Sequence, residues 1–150
     1  MNFCRYLIIA AAWTLACANA IAKDPDESRH ASRNRNLPSA VPAPGKRLDV
    51  LIKHLRIIIK DETNEVAPKR LRSFVQRFQD RAVAEGLLDI DRQTQYVLLA
   101  LYTSGAGIDH PACRALMKNP PKGSDDFADA MQALPDSVWE TGKPIWDSKP

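Results

Sequence analysis

Seven consecutive apolar residues, Tyr96-Val97-Leu98-Leu99-Ala100-Leu101-Tyr102, lie between an aspartate-containing turn at Asp89–Asp91 and the stretch Thr103-Ser104-Gly105-Ala106-Gly107. Asp89 or Asp91 can cap a helix at its start, and the glycines can end one. A helix that is apolar on every side needs other elements around it, and seven residues fall far short of the roughly 20 that span a bilayer. The expectation is a helix at the centre of a domain, for which the rest of the chain supplies the cover.

That cover is visible as helical periodicity. From Gly45 onward, Leu48, Leu51, Ile52, Leu55, Ile58 and Ile59 recur at helical spacing, with Lys46, Arg47, Lys53, Arg56 and Lys60 on the other face. The β-branched Ile57-Ile58-Ile59 could make a short strand, but the longer period upstream and the lack of a second strand favour a helix. Pro68 suits the first turn of a second helix, whose stripe is Leu71, Phe74, Val75, Phe78, Ala82 and Val83 and which Gly86 closes. After the central helix, Asp109-His110-Pro111 starts a fourth with Asp109 as cap, ending before Asn119-Pro120-Pro121. Ser124 caps a fifth, with Phe127, Ala130, Met131 and Leu134 inward and Asp125, Asp126 and Asp129 near its amino end. A short turn from Asp136 to Glu140 carries Trp139. The predicted fold class is all-α, a single compact bundle of about five helices over residues 46–140, followed by an irregular tail at 141–150.

The amino-terminal third reads differently. Arg5 precedes the apolar run Tyr6 to Cys17, and no acid occurs before Asp24, which is the layout of a signal peptide. Small residues at cleavage spacing place the cut after Ala20 or, preferably, Ala22, so residues 1–22 are the leader. Leu15-Ala16-Cys17 resembles a bacterial lipobox with Thr14 in place of the usual leucine. Lipidation at Cys17 is the route by which this chain would meet a membrane. Residues 23–45 combine polar and charged side chains with Pro38, Pro42 and Pro44, the composition of a disordered linker. The expected location is periplasmic, with secreted or lipid-anchored forms as alternatives.

Removal of the leader takes Cys4 and Cys17 with it and leaves Cys113, so no internal disulfide can form. In an oxidising compartment Cys113 is either buried or joined to a second chain as a homodimer, and burial is favoured by its place beside Leu116 and Met117. Cys113, His30, His54 and His110 show no zinc-ligand spacing, which predicts no metal. Gly105 and Gly107 are too few and wrongly spaced for a phosphate or dinucleotide loop, which predicts no cofactor. A formal charge of +3 is too small for a dedicated nucleic-acid binder.

Ser104, Asp109, His110 and Cys113 together invite a catalytic reading as a small hydrolase. Neighbouring positions on one helix do not face each other, however, and no oxyanion glycine motif accompanies the serine. Glu62, Glu65, Glu85 and Glu140 have no framework that would pair them for glycoside hydrolysis. A binding role is the better reading, with contacts concentrated in aromatic and arginine anchors. The candidates are Arg77 and Arg81, on a second helix that also bears Lys69, Arg70 and Arg72, together with Trp139, expected against the core, and Trp146, expected to be freer.

The stretch LRSFVQRFQDRAVAEGLLDIDRQTQYVLLALYTSGAGIDHPACRALM, followed by an acidic helix and LPDSVWE, resembles small helical bacterial proteins of unassigned function often encoded beside toxin and secretion-system genes. This chain differs in its leader, its long tail, and Ile108 where an aromatic is usual. The resemblance implies a role in interbacterial competition and assigns no active residue. The function expected is that of an immunity protein neutralising a toxin delivered to the periplasm. The alternative is a periplasmic or secreted accessory subunit of an envelope or secretion machine.

Overall fold

The computed structural model describes residues 44–147, so the predicted leader, the lipobox cysteine and most of the predicted linker lie outside the described residues. The described chain is all-α. Its helices are α1 (Pro44–Ile58), α2 (Lys60–Asn64), α3 (Pro68–Ala84), α4 (Ile90–Thr103), α5 (Ala106–Asp109), α6 (Pro111–Lys118), α7 (Ser124–Gln132) and α8 (Asp136–Trp139). The five longer ones are those the periodicity predicts. Of the three short ones, α2 and α5 turn the chain between longer helices and α8 follows the last of them.

Helix α4 is the hub and packs against α1, α3, α5, α7 and α8. Every residue from Gln93 to Leu101 is buried, as a helix apolar on all sides requires. Its polar members are satisfied within the core. Gln93 donates to the Leu87 carbonyl at 2.8 Å and accepts from Gln79 at 3.2 Å, so two buried amides sit in the α3–α4 interface without orphaned groups. Leu48, Leu51 and Leu55 of α1 and Leu71, Val75, Phe78 and Ala82 of α3 close over it from one side. Phe127 and Met131 of α7 and Val138 of α8 complete the core.

Caps follow local chemistry, with corrections. Asp89 caps α4, its carboxylate accepting from the Arg92 backbone N–H at 2.8 Å. Gly86, at φ +86°, ends α3 with bonds from Gly86 N to Val83 O and from Leu87 N to Ala82 O, the paired pattern of a left-handed C-cap. Asp109 does not cap the fourth long helix. It closes α5, and the His110 ring nitrogen Nδ1 takes the cap by accepting from Ala112 N–H at 3.2 Å. Ser124 is likewise the first helical residue of α7 and not its cap, which falls on Gly123.

The first helix also stops earlier than its charge pattern suggests. Ile59 leaves helical geometry at φ −129° and ψ 59°, and the turn sends both Ile59 and Val66 into the core. Val83 is 39% exposed and so stands outside the α3 stripe it was expected to join, while Ala128, not Ala130, is the buried alanine of α7. The residues after α8 are irregular in backbone yet docked. Ile145 is buried and donates its N–H to the Leu101 carbonyl at 2.9 Å, satisfying one of the last-turn acceptors of α4.

Candidate binding residues and the polar network at α3–α5

Arg77 projects from the flank of α3 onto two rings that the apolar stripe has already fixed. Phe74 and Phe78 are one turn apart with centroids at 4.7 Å, and both are buried. The Arg77 guanidinium lies 5.1 Å from the first centroid and 4.8 Å from the second, a cation–π platform. Arg77 is exposed, and its N–H donors have no hydrogen-bond or ion-pair partner among the described residues. The rings hold the cation in place while its fork of donors faces solvent.

Arg81, one turn further along, is committed to the protein itself. Its Nε meets Glu85 Oε1 at 3.2 Å, and its terminal nitrogen meets Asp109 Oδ1 at 2.7 Å, tying α3 to α5. Tyr96 adds its hydroxyl, which donates to Glu85 Oε1 at 2.8 Å from the central helix. The ionisation of the cluster follows from these contacts. The Arg81 hydrogen bond holds the Asp109 carboxyl below the usual aspartate range, and the Asp109 contact raises Arg81 further. Burial pushes the Tyr96 hydroxyl up, with the Glu85 contact in the same direction. The second oxygen of Glu85, Oε2, is buried without a partner among the described residues, so the contacts that compensate this carboxylate, from Arg81 and Tyr96, all fall on Oε1.

The tryptophans are elsewhere. Trp139 ends α8 and packs partly buried against the core, as expected. Trp146 stands edge-on to Tyr102, centroids 5.0 Å apart and planes at 84°, and is also partly buried against the core. The docked segment around Ile145 therefore gives Trp146 a packing role that its place in an irregular tail did not suggest. Arg77 lies over Phe74 and Phe78 and Arg81 is tied to Glu85 and Asp109, whereas both tryptophans pack against the core, Trp146 beside Tyr102.

The loop that invited a catalytic reading is held by structural contacts. Ser104, in the left-handed region at φ 51°, donates its hydroxyl to the Lys143 carbonyl at 2.6 Å. Asp109 serves Arg81, with Arg114 3.8 Å away, and His110 caps α6. Cys113 is a free, fully buried thiol, and burial pushes it up to about 11, away from the thiolate that nucleophilic attack needs. Its burial also matches the first of the two fates open to a lone cysteine. Among the described residues no group of three or more His, Cys, Asp or Glu side chains is disposed to hold a metal ion, and no helix is long and apolar enough to cross a membrane.

Comparison of the chain with protein-family models, with curated proteins and with solved structures finds no match.

Proposed function

We propose that this chain is an exported, non-enzymatic protein-binding domain, and that it neutralises a toxin delivered to the periplasm by occluding the toxin's active cleft, as an immunity protein does. The observation that carries the reading is Arg77, an exposed guanidinium fixed over Phe74 and Phe78 with its donors unused. Arginine on an aromatic platform loses little freedom when it meets a carboxylate and is enriched among the residues that dominate interfaces. The leader layout and the resemblance of the helical stretch to proteins encoded beside toxin genes supply the setting.

The test is recovery of the tagged protein from the cell envelope at moderate salt, with identification of stoichiometric companions by mass spectrometry. A secreted hydrolase or other toxin, lost on Arg77→Ala while the fold is retained, is the expected result. Recovery of envelope machinery would move the reading to an accessory subunit, whose rim-charge contacts should also weaken more steeply with salt. Recovery of no companion would refute both.

A further inference from the structure

Helices α1 and α3 do not close fully over their shared edge. Between them runs an open groove of about 460 Å³ whose apolar lining is Ile52, Ile57, Pro68 and Leu71. Ile57 is 70% exposed, the most exposed large aliphatic side chain among the described residues. Three cations stand around this lining, Lys53 and Arg56 from α1 and Arg72 from α3, against one carboxylate, Asp49. Asp49 is already taken by Arg72 at 2.7 Å, a bridge that links the two helices across the groove. Lys53 and Arg56 have no ion-pair partner among the described residues.

The geometry points to this groove as the docking site for an acidic segment of a partner protein, one aliphatic or aromatic side chain inserted between α1 and α3 and flanking carboxylates on Lys53, Arg56 and Arg72. This rests on the reading of the chain as a protein-binding domain and names a surface distinct from the Arg77 platform. Helical register separates the two: Pro68, Leu71 and Arg72 lie along the α1 side of α3, whereas Arg77 and Arg81 lie on the opposite flank. The groove spans α1 from Asp49 to Ile57, about 12 Å or two helical turns, which matches an anchor with one neighbour on either side.

Two features select a protein segment. The apolar lining sits between two helices, with Ile52 half-buried and Ile57 exposed at its edge, so it receives an inserted side chain, while a lipid surface is met by a convex amphipathic face. A phosphate backbone would use the three cations and leave the half-buried Ile52 and the exposed Ile57 without a function. An acidic peptide with an apolar anchor uses both parts, the cations for orientation and approach and the floor for burial.

The experiment measures fluorescence anisotropy of short labelled peptides on the chain recovered from cells. The first peptide has a central leucine flanked by glutamates, a second carries lysine for glutamate, and a third carries serine for leucine. Vesicles of mixed phosphatidylcholine and phosphatidylglycerol are measured in parallel. The expected result is saturable binding of the first peptide alone, weakened by salt. Lys53→Glu/Arg56→Glu and, separately, Ile57→Ser should each weaken it by about tenfold or more with helical circular dichroism unchanged. Ile57→Ser changes a solvent-facing side chain and decides the matter should the double reversal unfold. Equal binding of the first peptide by wild type and Ile57→Ser would overturn the inference, as would binding of the lysine peptide or binding of the vesicles alone. A toxin captured equally by wild type and both groove variants would overturn the groove and leave the immunity reading standing. Groove-dependent peptide binding with no companion from the envelope would do the reverse.

Discussion

Replacing Gly105 by alanine tests whether the contact between α3 and the turn after α4 is as close as the fold requires. Gly105 has φ +92°, and a Cβ there would overlap Cζ of Phe78 and lie 3.1 and 3.2 Å from its two Cε atoms. Gly86 is the internal control, with φ +86° and nothing within 4 Å of an added Cβ. Both substitutions pay the left-handed penalty of about 1–2 kcal/mol. Alanine recovers about 0.4–1 kcal/mol of that by restricting the unfolded chain. Gly86→Ala should therefore cost about 0–1.6 kcal/mol. Gly105→Ala adds overpacking, because Phe78 is buried, stacked on Phe74 and overlaid by Arg77, so its ring has no free direction. Such strain costs about 1–3 kcal/mol, which brings the total to roughly 1–5 kcal/mol. Urea unfolding followed by circular dichroism reads the difference directly. Should Gly105→Ala prove no more costly than Gly86→Ala, the packing argument fails, and with it the claim that Phe78 holds Arg77 in a fixed place.

Arg81→Ala should destabilise the fold by about 1–3 kcal/mol, since it strips the compensation from the partly buried Glu85 carboxylate. Arg77→Ala should cost under about 1 kcal/mol, the worth of an exposed cation–π contact, and the two unfolding curves compared at neutral pH check the ranking. Asp89 titrates below the ordinary aspartate value of 3.8, because the Arg92 backbone N–H and guanidinium outweigh the opposing effect of burial. A depressed folded value means the contribution is complete above pH 3.8 and is lost as pH falls through the lower folded value; in acid titrations Asp89→Asn should lack that part of the decline. Cys113 should resist iodoacetamide at pH 8 in the native protein and react once urea exposes it, and rapid native labelling would contradict its burial.

Much of the fold was legible because the interactions that define helices act within four residues. The stripes Leu48-Leu51-Leu55 and Leu71-Phe74-Val75-Phe78, the proline at the start of α3 and the Asp89 cap depend on spacing along one chain segment. Where a distant contact competes with a local cap, the sequence pattern does not decide the outcome. Asp109 is a good cap by type, yet a contact with Arg81, 28 positions away, claims it and leaves the cap to His110. Ser124 lost its expected role in the same way: its hydroxyl turns to the Asp89 carboxylate at 3.4 Å.

The candidate site divides along the same line. Arg77 over Phe74 and Phe78 is set by spacings of three and one on a single helix, and the apolar pattern of α3 was enough to put those rings under it. The commitment of Arg81, the docking of Ile145 on Leu101, the edge-on contact of Trp146 with Tyr102 and the groove between α1 and α3 all join positions distant in the chain. The amino-acid order alone determined that this chain makes helices around one apolar centre, because periodicity and capping are local. Which polar side chains were left exposed and unpaired among the described residues was decided only by tertiary packing, since a side chain is spent or spare according to what folding brings within reach.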